Sequence, residues 1–251
     1  MKKLFFLLLG SALLFSASAG AGNISVQVVA DQGYIFPQYP VSASPGNYRA
    51  YVQAQHNARY GLRIRNHTRK RIGLVVAVDG RNIISGKKSY LRNTEKMYVL
   101  APDGVAVYRG WRTGRDEIHR FYFTDPGDSY AEAWGDQSAM GVIAVAAFAE
   151  KRQQIVQPVA RPRLYSAPAA RESGTANSRA GTGYGEGEYS SSVRVDFHPK
   201  PYPLEKHFYK YEWRETLCRK RIISCPPSPS PRPPHNRFWP DDDGYAPPPP
   251  R

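Results

Sequence analysis

Residues 74–80 constrain the fold of this chain more than any other stretch. Leu74-Val-Val-Ala-Val78 is an unbroken apolar run, too short to span a membrane and suited to a strand buried on both faces. Asp79-Gly80 follows at once, and Asp-Gly between apolar runs is a strong short-range signal for a tight β-hairpin. Gly80 can take the positive φ that a type I′ turn requires. We therefore expect a β-rich domain built around one buried strand.

Further strands are predicted on both sides of this run. Tyr60, Leu62 and Ile64 alternate with small or basic residues, which gives one core face and one basic face. Turn signals recur at roughly 8–12 residues, a spacing typical of β-sandwiches. The pattern predicts an all-β, antiparallel β-sandwich-like domain. Its other candidate strands are 23–30, 48–55, 96–100, 105–109, 118–124 and the apolar segment 141–148.

The first 21 residues have the pattern of a secretory signal peptide. Lys2 and Lys3 form a charged start, Leu4 to Phe15 is apolar, and a small-residue cleavage site follows. Two cleavage sites fit, Ala17-Ser-Ala19 and Ala19-Gly-Ala21. We expect export to a periplasm or beyond, and no transmembrane span in the mature chain, because the apolar run is too short for one.

Composition divides the rest of the chain into five segments. Val193 to Phe197 and Tyr209 to Trp213 each alternate apolar and polar residues, which predicts a strand pair. Half of the chain's prolines, 11 of 22, follow residue 225. The predicted segments are an N-terminal strand and linker (22–47), the β-sandwich-like domain (48–150), a flexible linker (151–187), the strand pair packed on the main domain (188–225) and a disordered proline-rich tail (226–251).

The chain is strongly basic. Its formal net charge is +14 and its pI is about 9.8, and removing Lys2 and Lys3 with the signal peptide leaves +12. This balance favours an anionic envelope polymer or another envelope protein as partner, whereas export disfavours nucleic acid. Guanidinium groups can bind phosphate or carboxylate bidentately. The densest cluster, a candidate anionic-ligand patch, is Arg63, Arg65, Arg69, Lys70 and Arg71; the alternative is a solvated strand face and turn.

Cys218 and Cys225 are the only cysteines. In an oxidising compartment, an isolated pair that closes a short loop predicts a disulfide. Their spacing is not Cys-x-x-Cys, and no histidine lies beside them at metal-site spacing.

No motif predicts catalysis. His-Glu-x-x-His, Gly-x-Ser-x-Gly and phosphate-loop patterns are absent from the sequence. Asp125, Asp128, Glu132 and Asp136 share one loop region, where turn capping is a simpler interpretation than calcium binding or a carboxylate hydrolase. Trp111 is either an aromatic contact for sugars or bases or a residue at the edge of the core. We predict no catalytic, cofactor-binding or metal-binding residue.

Six short segments follow one another in fixed order: VDGRNIISG (78–86), GWRT (110–113), FYFTDPGDSY (121–130), GVIAVA (141–146), GTGYGE (181–186) and YKYEWR (209–214). Together they resemble a set of uncharacterised exported bacterial proteins. The resemblance covers about residues 48–225 and implies no activity, cofactor or catalytic residue.

The sequence thus predicts a non-enzymatic, exported envelope protein that binds an anionic polymer or a partner protein through a basic β surface. Two alternatives remain open: a secreted hydrolase of envelope polymer, with acids near Asp116 to Asp136, and an assembly protein that pairs through exposed β-edges.

Overall fold

The computed structural model describes residues 22–41, 44–151 and 180–225. The predicted signal peptide, most of the predicted linker and the predicted proline-rich tail lie outside these ranges. Among the described residues, no helix is long and apolar enough to cross a bilayer.

The described chain forms two β-sheets packed face to face, which confirms the predicted all-β sandwich. One short α-helix, α1 (Arg214–Arg219), follows the last strand. The strands are β1 (Ile24–Ala30), β2 (Gln38–Pro40), β3 (Asn47–Ala54), β4 (Arg59–Asn66), β5 (Ile72–Val78), β6 (Arg81–Asn82), β7 (Tyr98–Leu100), β8 (Val105–Tyr108), β9 (Gly110–Arg112), β10 (Glu117–Thr124), β11 (Val142–Ala149), β12 (Gly181–Thr182), β13 (Gly187–Tyr189) and β14 (Glu205–Trp213).

The first sheet has the order β1-β4-β10-β12, with β8 on β4 and with β9 and β13 on β10. The second has the order β2-β3-β14-β11-β5-β6, with β7 on β5. Among the described strands all pairs are antiparallel except β3 and β14, which are parallel. Strand β1 pairs with β4 from Ile24↔Asn66 to Ala30↔Tyr60, so the N-terminal strand is part of the sandwich.

The core lies between the sheets and is rich in aromatic residues. Tyr60 of β4 stacks on Phe123 of β10 with ring centroids 4.3 Å apart, and Phe123 meets Tyr211 of β14 at 5.1 Å. All seven residues of β5 are buried, as the apolar run predicts. The predicted hairpin is also confirmed: Asp79 and Gly80 have φ of 48° and 79°, both positive as in a type I′ turn, and Val78 pairs with Arg81.

The C-terminal strand pair is only half formed. Strand β14 is present, but it lies between β3 and β11 in the middle of the second sheet. The predicted partner, Val193 to Phe197, is not a strand, and Val193 is 77% exposed. Hydrogen bonds to β11 come instead from Lys200 N and Leu204 N, to Ala149 O and Ala147 O. The neighbouring residues Pro199, Pro201 and Pro203 have no N–H group, and neither of these two bonds requires one from them.

Residues 180–187 differ from the predicted linker. They run along β10, where Phe123 pairs with Thr182 and His119 pairs with Gly187. Gly183 N donates to Tyr122 O at 2.9 Å, and the Tyr122 ring fills the space that a Cβ on Gly183 would occupy. The glycines therefore allow close packing against β10, although their composition alone resembles that of a linker.

This packing predicts that replacing glycine by alanine destabilises the protein at Gly183 but not at Gly127. In Gly183→Ala the new methyl group overlaps the Tyr122 ring, so we expect a loss of about 1–3 kcal/mol of unfolding free energy. Gly127→Ala is the control, because nothing lies within 4 Å of its Cβ position. Thermal unfolding measures both. An unchanged or raised melting temperature in Gly183→Ala would show that this segment behaves as a linker.

Candidate functional site

Arg63 and Arg65 lie on the outward face of β4. Their neighbours Leu62 and Ile64 point into the core and are fully buried. Because successive side chains of a strand point to opposite faces, the two arginines point away from the core. Arg65 is exposed and Arg63 is half-buried. The first sheet thus presents two guanidinium groups on a fixed strand.

The residues across from these arginines carry no charge. On β1, Gln27 opposes Arg63 and Ser25 opposes Arg65. On β8, Val107 and Val105 take the same positions. Directly opposed residues have Cβ atoms about 4.5–5.5 Å apart, so these positions are where a compensating carboxylate would lie. Neither arginine forms an ion pair with any described residue.

The turn after β4 holds two more cations. The side chain of the buried residue Asn66 fixes this turn: Nδ2 donates to Lys70 O and to Ala101 O, each at 2.8 Å, and Oδ1 accepts from Thr68 N at 2.9 Å. Arg69 and Lys70 are exposed on it. We name Arg63, Arg65, Arg69 and Lys70 the β4 basic stripe.

Arg71, the fifth residue of the predicted patch, has a different role. It immediately precedes β5 in the second sheet, and its guanidinium pairs with the carboxylate of Glu150 through two hydrogen bonds. Its Nη2 also donates to Asp196 O at 3.2 Å. Arg59, at the start of β4, likewise pairs with Glu186 at 2.7 Å. These two cations already have anionic partners, whereas the stripe residues have none within residues 22–41, 44–151 and 180–225.

A second polar cluster is sealed between the sheets. The carboxylate of Asp79 accepts hydrogen bonds from Gly141 N at 2.7 Å, Tyr211 Oη at 2.6 Å and Thr182 N at 2.7 Å. Thr182 Oγ1 lies 2.6 Å from Tyr211 Oη and 2.7 Å from Tyr60 Oη. An ionised carboxylate only accepts hydrogen bonds, so Tyr211 donates to Asp79. Thr182 then donates to Tyr211, and Tyr60 donates to Thr182. We name Asp79, Tyr211, Thr182 and Tyr60 the Asp79 network.

Burial raises the pKa of Asp79 to about 6, and the hydrogen bonds from Tyr211, Thr182 and Gly141 offset part of that rise. A raised carboxyl pKa often marks a catalytic acid. Here all four residues of the network are fully buried, so no substrate reaches them. The network therefore connects the two sheets. The sequence indicated the turn at Asp79 but not its direct partners Gly141, Thr182 and Tyr211, which come from three distant segments.

The acidic loop region serves local structure. Asp136 Oδ1 accepts from Ser138 Oγ at 2.6 Å and from Ser138 N at 3.1 Å, and Glu132 accepts from Gln137 Nε2 at 2.8 Å. Burial opposes ionisation of Asp136, but the bonds from Ser138 and the charges of Lys88 and Arg81 lower its pKa. No group of three or more metal-ligating side chains occurs within residues 22–41, 44–151 and 180–225.

Trp111 belongs to the edge of the core. It is 2% exposed, its Nε1 donates to Gly183 O at 3.1 Å, and its ring packs against Phe121. Trp134 in this region is 60% exposed, with the Arg81 guanidinium over its ring. Sequence reasoning missed an aromatic cluster in which Tyr184 stacks on His119, with ring centroids 4.1 Å apart.

The predicted cysteine pair is confirmed. Cys218 and Cys225 are joined, with Cα atoms 5.7 Å apart, and the bridge links the end of α1 to the loop that follows it. Among the described residues no cysteine is free.

Comparisons with protein-family models, curated proteins and solved structures find no match to this chain. Within the chain itself, Asp79 lies in residues 78–86, and its hydrogen-bond donors Gly141, Thr182 and Tyr211 lie in residues 141–146, 181–186 and 209–214.

The buried carboxylate predicts a specific pH dependence of stability. The pKa of Asp79 is about 6 in the folded state, above its unfolded value of about 3.9, so the folded state binds the proton more tightly. This contribution to stability is full below about pH 4 and is lost as the pH rises through 6. Between pH 4.5 and 7 the loss is about 2 kcal/mol.

The test is to compare the wild type with Asp79→Asn by chemical unfolding across this range. The difference between the two unfolding free energies cancels the contributions of the other titrating groups. We expect the stability advantage of the wild type to shrink as the pH rises. Exposed Asp125→Asn serves as the matched control and should follow the wild type. Parallel curves for wild type and Asp79→Asn would contradict a buried, titrating Asp79.

Proposed function

We propose that this chain is a non-enzymatic envelope protein, exported by its signal peptide, that binds an anionic polymer through the β4 basic stripe. The observation that carries the proposal is the uncompensated charge on β4. Arg63 and Arg65 share one strand face, and the residues opposite them on both neighbouring strands are uncharged.

Electrostatics favour a polyanion as the partner. Side chains two residues apart on one strand face are separated by about 6–7 Å, so the two guanidinium groups repel each other. A chain of regularly spaced carboxylates or phosphates relieves that repulsion at several points at once. Arginine is suited to this contact, because its planar fork binds either group bidentately.

The stripe is also preorganised. Arg63 and Arg65 lie on a strand paired along both edges, by β1 and by β8. Arg69 and Lys70 lie on the turn that Asn66 holds in place. Binding therefore orders only side chains, which lowers its entropic cost.

The two alternative functions have less support. A hydrolase needs accessible acids with shifted pKa values, but among the described acids the one whose pKa is raised, Asp79, is sealed in the core. Ion pairs oppose assembly through β-edges at the β13 end of the first sheet. There Glu186 pairs with Arg59, and Glu188 pairs with Arg120. Charged residues on an edge disfavour its pairing with another chain.

Charge reversal tests the proposal. In Arg63→Glu/Arg65→Glu, affinity for polygalacturonate or inorganic polyphosphate is expected to fall at least about tenfold at low salt. Wild-type binding should weaken as salt rises, because the Debye length shortens from about 30 Å at 0.01 M to about 8 Å at 0.15 M. Titration calorimetry at several salt concentrations measures both effects, and the two polymers separate carboxylate from phosphate recognition.

The control is Lys87→Glu/Lys96→Glu, which makes the same change in net charge on exposed residues between β6 and β7. It should retain most of the affinity. Equal losses in the two variants would show that net charge alone drives binding, and salt-insensitive binding would rule out the stripe as an electrostatic site.

A further inference from the structure

Glu205 holds the first residues of β1. Its Oε2 accepts from Asn23 N at 2.8 Å and from Asn23 Nδ2 at 3.0 Å, and its Oε1 accepts from Ile24 N at 2.8 Å. The residue is 8% exposed. A nearly buried carboxylate at the start of β14 thus faces the backbone at the start of the described chain.

Gly22 lies directly against this carboxylate. A Cβ on Gly22 would lie 3.2 Å from Glu205 Oε2 and 3.3 Å from Oε1, closer than such contacts normally are. Because Gly22 has no side chain, its backbone can approach both oxygens. The main-chain nitrogen of Gly22 is bonded directly to the Cα that lies against this carboxylate.

Among the described residues, His207 is the side chain that can offer this carboxylate a positive charge. Burial raises the pKa of Glu205, but hydrogen bonds from His207, Asn23 and Ile24 lower it to about 2, so the group is ionised at neutral pH. His207 Nε2, at 2.9 Å, carries a positive charge only when the ring is protonated. Its Nδ1 lies 3.3 Å from Tyr209 Oη, which donates to Val26 O. A buried anion of this kind is strongly stabilised by a full positive charge.

The sequence immediately before Gly22 can supply that charge. Ala19-Gly20-Ala21 is one of the two small-residue cleavage sites of the signal peptide. Hydrolysis after Ala21 adds water across the Ala21–Gly22 amide, leaving a carboxylate on Ala21 and an α-amino group on Gly22. With an ordinary pKa of about 7.7–8.0, that amino group takes up a proton and is mostly cationic at neutral pH.

We propose that the signal peptide is cleaved after Ala21 and that the new α-ammonium group of Gly22 forms an ion pair with Glu205. Cleavage then completes the sandwich, because the amide nitrogen of the precursor is neutral and cannot supply the charge. Glu205 is thus a recognition site for the processed N-terminus, separate from the β4 basic stripe.

The first test is the intact mass of the exported protein after reduction of its disulfide. A mature chain that begins at Gly22 supports the proposal. A chain that begins at Gly20, the product of cleavage after Ala19, overturns it.

The second test compares the melting temperatures of two disulfide-bonded chains, one beginning at Gly22 and one beginning at Ala19. The Gly22 chain should melt at least about 3 °C higher, the shift expected for a charge-assisted hydrogen bond in a domain of this size. In Glu205→Gln the difference should vanish. Acetylating the Gly22 amine removes its charge without adding residues, and should lower the melting temperature of the wild type by a similar amount. Equal melting of the free, acetylated and extended wild-type chains overturns the ion pair.

Discussion

The carboxylate of Asp79 accepts hydrogen bonds from parts of the chain that are far apart in sequence but adjacent in the fold. Gly141 precedes β11, Thr182 ends β12, and Tyr211 lies on β14. Through Thr182 the network reaches Tyr60 in the first sheet. An unpaired charge in the core is very costly, so each donor is needed to make the buried carboxylate tolerable. This requirement fixes β14 and the glycine-rich segment in their positions.

Local patterns were sufficient to predict most strands and one turn. The apolar run before Asp79 identified β5, the Asp-Gly pair identified the hairpin, and alternation in β4 indicated which residues face outward. Composition misled the prediction at residues 180–187, because glycine that packs under an aromatic ring has the same sequence signature as glycine in a flexible segment. Alternation misled it at Val193 to Phe197, which forms no strand, while residues 198–204 lie along the end of β11.

The predicted basic patch shows the same limit of local sequence patterns. Five basic residues were predicted to act together because they are close in sequence. The chain crosses from one sheet to the other within this stretch, so Arg71 meets Glu150 while Arg63 and Arg65 stay on the first sheet. Partners such as Glu150 and Glu186 lie about 80 to 130 residues away from the arginines they pair with. No local pattern encodes such pairs, and they decide which cations remain available to a ligand.

Native-state hydrogen exchange at the amides of Gly141 and Thr182 tests the central role of Asp79 most directly. Both amides donate to its carboxylate inside the core, so each should exchange only through global unfolding, as slowly as the amides of β5 and β11. Exchange of the Thr182 amide at the rate of an unstructured peptide would contradict the account, because it would show that the glycine-rich segment is not held by Asp79.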